Sequence, residues 1–331
     1  MARLRCAVLG LALVSSALCA QSPERHVRLG LLVTGTMEQR GDLDRAFVDG
    51  LRKLGYVEGK NLRIERRYGD GMSMMEHSQE DLSAVARELA AMKLDAIVTS
   101  CAPSTLAAKN ATSSTPIVMA AVSDPVGQGL VASLARPGRN ITGVSSQADD
   151  LLPKRLELLA ELMPAKSVVA VLANSQNPVH APMWQKLRTV APRYNLTLQL
   201  TETDGESGLA SAFHKIASSK ARALYVLPDD PALFNVRREI VALAAKHRIA
   251  GFYWASEFVE AGGLLSYGAS QRDSYVAAAA YVDRVVRGAN PATLAVAQPT
   301  RFELVINLAT ARTLGLAIPS QLLLRADRVM E

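Results

Sequence analysis

The stretch from Asp95 to Ser146 reads DAIVTSCAPSTLAAKNATSSTPIVMAAVSDPVGQGLVASLARPGRNITGVSS. It contains three short apolar runs rich in β-branched residues, at Ala96–Val98, Ile117–Val122 and Ile141–Val144. Continuous apolar runs of this length favour strands that are buried on both faces of a parallel sheet. Small polar residues follow each run, and the carboxyl ends of parallel strands carry the ligand crevice of an open α/β sheet. The stretch therefore predicts a sheet whose polar edge binds a ligand.

The first twenty residues predict an export signal. Arg3 and Arg5 form a basic start, and the apolar run from Cys6 to Leu18 that follows is shorter than the roughly 20 residues of a membrane-spanning helix. We expect cleavage after Cys19 or Ala20, which gives a periplasmic mature protein from the signal peptide 1–20. Lipidation at Cys19 is the less favoured alternative, because Leu18 stands where a lipobox has a small residue.

Charge and cysteine content exclude several classes of function. The sequence has 37 Lys and Arg against 31 Asp and Glu, and removal of Arg3 and Arg5 leaves 35 against 31. The charges are interspersed, so nucleic acid is not an expected partner. With Cys6 and Cys19 in the leader, Cys101 is the one cysteine left, which excludes an intrachain disulfide and a cysteine metal cluster. We expect no metal and, without a P-loop or a complete G-x-G-x-x-G motif, no nucleotide cofactor.

Hydrophobic periodicity divides the rest of the chain into two α/β halves. The 331 residues, less the leader, exceed what one core usually holds, so two doubly wound, Rossmann-like lobes are expected. Lobe I is assigned to 26–146 and lobe II to 147–269. In lobe I the pattern predicts two further strands and four helices, at Val27–Val33, Leu62–Tyr68, Leu43–Leu54, Asp81–Met92, Leu106–Ala111 and Gly129–Leu134.

Polar groups at the predicted strand ends of both halves are the candidate ligand-binding residues. In lobe I these are Thr34, Thr36, Ser100, Cys101, Ser104, Thr105, Ser123 and Asp124. In lobe II they are Asn174, Asn177, Asp229, Asp230, Tyr253, Trp254 and Tyr267. Because Asp229 and Asp230 are adjacent, we expect one to face the crevice and the other to face solvent or cap a helix.

The types of these residues suit a zwitterion. Ser104 and Thr105 open a predicted helix, whose free N–H groups and dipole attract a carboxylate. Asp124 or Asp229 suits an amine. The alternative is that Ser104 is only a helix N-cap and Asp124 only starts a turn. A hydrolase that uses Cys101 or Asp229 is a further alternative, although a nucleophile also needs a base.

Several longer motifs carry a family resemblance. They include TSCAPSTLAAKNAT (99–112), SDPVGQGLVASLARPGRNITGVS (123–145), VAVLAN (169–174), PTRFELVINLATARTLGLAIP (299–319) and LLxRADRVME (322–331). Together they resemble the ABC-transporter substrate-binding proteins of the type I periplasmic fold, which include binders of aromatic amino acids. The similarity extends from about His26 to Glu331.

The resemblance implies two lobes joined by a hinge of several crossing strands, a small molecule bound between them, and no catalysis. It implies that the chain returns to lobe I after about residue 270, so that 270–331 packs largely on that lobe. The implied partners are a small-molecule ligand, such as an amino acid or related carboxylate, and the membrane permease of an ABC transporter. We expect a monomer. A periplasmic sensor that presents its ligand to a receptor is the alternative function.

Overall fold

A computed structural model of the protein describes residues 26–68, 79–205 and 207–331. In these residues the chain forms two mainly parallel β-sheets, each covered by helices on both faces. The predicted fold class, two Rossmann-like α/β lobes, is confirmed. The predicted signal segment 1–20 lies outside the described residues. No helix within the described residues is both long enough and apolar enough to cross a membrane.

The first sheet has five parallel strands in the order β2-β1-β3-β4-β5. They are Val27–Val33 (β1), Leu62–Tyr68 (β2), Ala96–Thr99 (β3), Ile117–Val122 (β4) and Ile141–Ser145 (β5). Helices Met37–Lys53 (α1), Gln79–Ala91 (α2) and Ala102–Ala111 (α3) connect them. One face buries Leu29 and Val98 with Phe47 of α1, and the other buries Ile97 and Met119. The inner strands β3 and β4 are continuous apolar runs because both of their faces are covered, whereas the edge strand β2 carries several charged residues.

The second sheet has seven strands in the order β12-β11-β10-β9-β8-β6-β7. They are Val168–Asn174 (β6), Thr197–Thr203 (β7), Ala223–Val226 (β8), Ala250–Tyr253 (β9), Leu265–Gly268 (β10), Glu303–Asn307 (β11) and Arg328–Met330 (β12). Helix Leu152–Leu162 (α4) precedes β6. The helices between β6 and β10 are His180–Val190 (α5), Leu209–Ser218 (α6), Pro231–Asn235 (α7), Arg237–Lys246 (α8) and Ser256–Glu260 (α9). A 3₁₀ turn, Ala191–Tyr194, follows α5.

The C-terminal segment is shared between the two lobes. Helix Gln271–Val286 (α10) packs on α1 and on the first sheet, and Thr142 of β5 donates a hydrogen bond to the carbonyl of Leu294. From residue 303 onward, however, the chain adds β11 antiparallel to β10, and helices Leu308–Leu314 (α11) and Ser320–Leu324 (α12) follow it. The prediction that 270–331 packs largely on lobe I is therefore wrong for 303–330. The physical reason is that β10 leaves an open edge on which Leu304 and Ile306 become buried.

Two predicted helices of lobe I need correction. The helix predicted at Gly129–Leu134 is wrong, because residues 125–134 form a series of turns. Helix α1 starts at Met37 rather than Leu43, because the Thr36 hydroxyl accepts from the Gln39 N–H while the Gln39 side chain accepts from the Thr36 N–H. This capping box adds a turn to the helix at the carboxyl end of β1.

Residues 146–151, 269–270 and 298–302 cross between the two lobes. The buried side chain of Arg155 in α4 ties the first crossing to strand β10, which leads into the second. Its Nε donates to the Tyr267 carbonyl at 2.7 Å, and its Nη1 donates to the Ala148 carbonyl at 2.8 Å. Burial lowers the pKa of Arg155. The guanidinium nevertheless stays charged, since its ordinary pKa lies far above neutrality.

Gly143 is the position in β5 where a side chain is least tolerable. Its φ is +133°, and an added Cβ would lie 2.2 Å from the backbone oxygen of Met119. We expect Gly143→Ala to lower the free energy of unfolding by about 2–4 kcal/mol, from backbone strain and overpacking together. Urea unfolding measures the change.

Gly129→Ala is the matched control, because Gly129 also has a positive φ, +66°, but has open space around it. It should cost about 1 kcal/mol, the strain of a left-handed alanine alone. Equal denaturation midpoints for the two variants would contradict the steric argument.

Candidate functional site

A cavity of about 40 Å³ lies between the lobes at the carboxyl ends of both sheets. Lobe I contributes Arg40, Ser100, Cys101 and Ala121; lobe II contributes Asp229, Asp230, Pro231, Phe234 and Trp254; and Ser146, Ala148 and Gln271 line it from the crossings or beside them. A cavity of this volume has room for a few water molecules. A solute as large as an amino acid therefore needs the cavity walls to move apart.

Five residues that the sequence predicts as ligand-binding line this cavity: Asp229, Asp230 and Trp254 from lobe II, and Ser100 and Cys101 from lobe I. Thr34 lies directly behind them: its hydroxyl is 3.4 Å from Cys101 Sγ and its N–H donates to Ser100 Oγ at 3.4 Å. Thr36 caps α1 and does not line the cavity. The end of β1 thus supports the lobe I wall from behind.

The start of α3 is arranged differently from the prediction. Cys101, not Ser104, is the N-cap residue. The hydroxyls of Ser104 and Thr105 both donate to the Cys101 carbonyl, at 3.0 and 2.8 Å, and both side chains are fully buried. The prediction that these hydroxyls face a ligand carboxylate is wrong, because the helix's own first turn uses them.

The loop after β4 separates the two aspartates that were candidates for an amine. Asp124 accepts a hydrogen bond from the Gly127 N–H at 2.8 Å, does not line the cavity, and acts as the turn-former of the alternative interpretation. Ser123 is buried, and its backbone N–H donates to the carboxylate of Asp229 across the cleft. Of the two carboxylates, only that of Asp229 faces the cavity.

Asp229 belongs to a loop that a buried polar cluster holds in place. Asp230 caps α7 by accepting from the Leu233 N–H at 2.8 Å, which agrees with the expected helix-cap role. Asn177 donates to the Asp229 carbonyl and to the Asp230 carboxylate, both at 2.9 Å. His180 Nδ1 accepts from the Asn174 N–H at 2.8 Å, so Nε2 carries the proton and donates to the Pro228 carbonyl at 3.1 Å. Asn174 and Asn177 therefore support the loop and do not line the cavity.

Of the three aromatic candidates, only Trp254 lines the cavity. Tyr253 is buried in the core and stacks on Phe258 with ring centroids 4.7 Å apart, so the prediction that it faces the ligand is wrong. Its neighbour Trp254 lines the cavity. Successive side chains of an extended chain point to opposite sides, which explains why Tyr253 lies in the core and Trp254 at the cavity. Tyr267 lies against Phe302, outside the cavity.

The most important residue that sequence reasoning missed is Arg40. It lies on the added first turn of α1, is 5% exposed, and its Nη2 donates to the Tyr275 hydroxyl at 2.9 Å. Its guanidinium carbon lies 4.9 Å from the centroid of the Phe234 ring, so it contacts both lobes. The signal that reveals it is the capping box of Thr36 and Gln39, which places Arg40 on a helix at the carboxyl end of β1.

Besides the contact from the Ser123 N–H to Asp229, two hydrogen bonds from side-chain amides join the lobes in the described part of the chain. Gln128 Nε2 donates to Asp229 Oδ2 at 3.3 Å, and Asn235 Nδ2 donates to the Thr34 carbonyl at 3.4 Å. At the second contact Gly35 adopts φ +110°, and an added Cβ would lie 2.4 Å from Asn235 Nδ2. A side chain at position 35 would therefore displace the Asn235 amide and break its hydrogen bond to the Thr34 carbonyl.

Burial raises the pKa of Asp229 to about 6, and hydrogen bonds from Gln128 and from the Ser123 N–H oppose that rise. At neutral pH the carboxylate is mainly ionised, so it attracts a cation. Among the described residues there is no group of three or more His, Cys, Asp or Glu side chains that could hold a metal ion.

Comparison with known proteins identifies relatives of this chain. A family model described as ABC transporter substrate binding protein matches residues 39–330. The tyrosine-binding protein of Clostridioides difficile is 27% identical over 280 residues, which are 83% of this chain and 77% of that protein. An ABC domain from Streptococcus pneumoniae, solved in complex with L-Trp, has a TM-score of 0.82 and 26% identity over 92% of this chain and 100% of that one. A conserved domain protein from Vibrio cholerae has the same four values.

The buried His180 predicts a specific pH dependence of stability. Burial lowers its pKa below the ordinary 6.5, so the unfolded chain binds a proton that the folded chain resists, and stability falls as pH falls below that value. Relative to His180→Asn, whose amide oxygen replaces Nδ1, we expect the wild type to lose about 1.4 kcal/mol more on going from about pH 8 to about pH 5.5. Denaturant unfolding at both pH values measures this.

The exposed His214 supplies the control. His214→Asn should keep the wild-type difference between the two pH values. If His180→Asn also kept it, the neutral, buried state of His180 would be ruled out.

Proposed function

This chain belongs to the family of ABC transporter substrate-binding proteins, and from that membership we propose that it binds an amino acid or a related small carboxylate between its lobes. The observation that carries the proposal is the pair of opposite charges at one cavity, Arg40 from lobe I and Asp229 from lobe II. A zwitterion has the two groups that this pair complements. The tyrosine and tryptophan named for two relatives belong to the same chemical class.

Asp229 is the proposed partner of the solute's amine. It lines the cavity, reaches toward lobe I, and is the acidic residue whose hydrogen-bond partners there, Gln128 and Ser123, come from the opposite lobe. The carboxylate of Asp230 is already used by Asn177 and by the first turn of α7. Trp254 and Phe234 offer an apolar wall for the rest of the solute.

We further propose that the protein delivers its solute to the membrane permease of an ABC importer. The family is one of transporter components that bind a substrate, not a family of enzymes. Cys101, the residue of the hydrolase alternative, has its sulfur 3.4 Å from the hydroxyls of Thr34 and Ser104, and neither hydroxyl is a general base of the kind that activates a thiol.

Replacement of Asp229 tests the function. For amino acids found to bind in a screen, Asp229→Asn should weaken the affinity by about ten- to a hundredfold, because the amine loses a charge-assisted bond. Wild-type affinity should rise as pH increases through about 6, where Asp229 ionises, and the variant should lack that rise. Isothermal titration calorimetry between about pH 5 and about pH 8 measures both effects.

Asp124→Asn is the matched control. Like Asp229, Asp124 lies in a loop that follows a strand, here β4 of lobe I, but it lies outside the cavity. It should leave affinity within about twofold of wild type. A wild-type protein that binds no amino acid and no small carboxylate would refute the proposed function. If an uncharged solute bound equally well to Asp229→Asn and to Asp124→Asn, the proposed function would also be refuted.

Export is proposed from the leader, with a mature chain that begins near Ala20 or Gln21. The expected intact mass of protein recovered from the periplasm is that of the chain without residues 1–20 and without lipid. A mass that includes a diacylglycerol group on Cys19 would show a lipoprotein instead.

A further inference from the structure

We infer that Arg40 binds the carboxylate of the solute, and that Tyr275 and Phe234 hold it ready to do so. The inference rests on the proposed function and names the residue that recognises one end of the solute. It also replaces the start of α3, where the Ser104 and Thr105 hydroxyls are already used, as the anion-binding position.

The hydrogen-bonding capacity of Arg40 is largely unused. A guanidinium has five N–H donors. Within the described residues, Arg40 makes one side-chain hydrogen bond, to the Tyr275 hydroxyl, and its Nε is buried with no partner. Buried polar groups without partners are rare in folded proteins. A carboxylate accepts two parallel N–H bonds from one guanidinium, so it is the ligand that fits such donors best.

The charge of Arg40 is equally uncompensated. In the part of the chain that the structure describes, no carboxylate lies within ion-pair distance of it. Asp44, one helical turn further along α1, directs Oδ2 to Arg66 and Tyr68. Glu257 interacts electrostatically with Arg40, but more weakly than with Arg237. Burial also raises the pKa of Glu257, which favours its neutral form. A second cation, Arg237, lies over the same Phe234 ring at 4.7 Å. Among the described residues, two guanidinium groups therefore lie at this ring while no carboxylate is ion-paired to Arg40, an arrangement that favours an anion.

Arg40 has one support on its own lobe, Tyr275, and a second, Phe234, that lobe II supplies when the lobes are together. The Tyr275 hydroxyl holds one end of the guanidinium, and the Phe234 ring packs against its face. Tyr275 is fully buried on α10, and Phe234 is buried on α7. A guanidinium that is already ordered loses less conformational entropy when it binds. This arrangement makes Arg40 a specific carboxylate site and not merely a source of positive charge.

The test compares Arg40→Gln with Arg237→Gln, a matched control that removes a guanidinium from the same ring but not from the cavity wall. The probes are L-tryptophan and L-tyrosine, with tryptamine and tyramine as the same molecules without the carboxylate. Arg40→Gln should weaken binding of the amino acids by about ten- to a hundredfold and change binding of the amines by less than about threefold. Arg237→Gln should stay within about threefold of wild type for all four.

Tyr275→Phe separates positioning from charge. It keeps the guanidinium but removes its hydrogen bond, so we expect a loss of about two- to tenfold for the amino acids and no change for the amines. Thermal unfolding of each variant checks that the fold is retained, and Arg40→Lys, which keeps the charge, provides the comparison if Arg40→Gln does not fold.

The outcomes distinguish this inference from the function on which it rests. Wild-type binding of an amino acid that Arg40→Gln or Arg40→Lys leaves unchanged would overturn the role of Arg40 while the proposed function stands. An equal loss for amino acids and amines would show that Arg40 supports the cavity wall without contacting the carboxylate, and would also overturn it. Failure of the wild type to bind any of a panel of amino acids and small carboxylates would remove both.

Discussion

The guanidinium of Arg155 is the constraint that sets where the two lobes meet. Its hydrogen bonds to the Ala148 and Tyr267 carbonyls tie the first crossing segment, and the end of β10 that leads into the second, to α4 of lobe II. A buried charge that is held by carbonyl dipoles and by the side chain of Tyr225 is costly to disturb, because removing a partner leaves it unsolvated. Ala148 also lines the cavity, and a Cβ added to Gly268 would collide with the Trp254 carbonyl. Ala148, the end of β10 and the floor of the cavity therefore form one closely packed unit. Motion between the lobes is left to the other residues of the crossing segments.

From that unit, the two sheets direct different chemistry at the cavity. Lobe I presents small groups at the ends of β3 and β4, where the backbone is close to the cavity, and one long side chain, Arg40, from a helix. Lobe II presents the loop that carries Asp229. Hydrogen bonds made by His180, Asn177 and Asp230 hold the backbone of this loop in place. Asp229 itself adopts φ +61°, a left-handed conformation that aspartate tolerates better than most residues. A buried network of this kind is used where a side chain has to be held at one position.

The fold was predictable because strands buried on both faces are visible as unbroken apolar runs, as at Ile117–Val122. The C-terminal strand Glu303–Asn307 has the same kind of run. The pattern indicates a strand, but it does not show which of the two sheets has the open edge that this strand joins. Side-chain direction was harder still: Tyr253 and Trp254 are adjacent aromatic residues that both contact Phe258, and their sequence alone does not show that Tyr253 is enclosed in the core while Trp254 reaches the cavity. Ser104 looked like a cap with a free hydroxyl, although Cys101 occupies that position. Arg40 was missed because the search followed strand ends, and the helix begins earlier than the apolar pattern alone indicates.

The placement of Arg40 and Asp229 also explains how binding would drive closure. A ligand shifts an equilibrium between open and closed states only by the difference in its affinity for the two. Arg40 belongs to lobe I and Asp229 to lobe II, so a solute with one charge at each end completes both contacts only when the lobes are together. Arg40 itself contacts Phe234 of lobe II, and Asp229 meets Gln128 of lobe I, so each charged group is already part of the interface between the lobes. A solute with a single charged group would complete one of these contacts without requiring the other, and would favour the closed state correspondingly less. Discrimination for zwitterions then follows from the geometry of closure as much as from the strength of either contact.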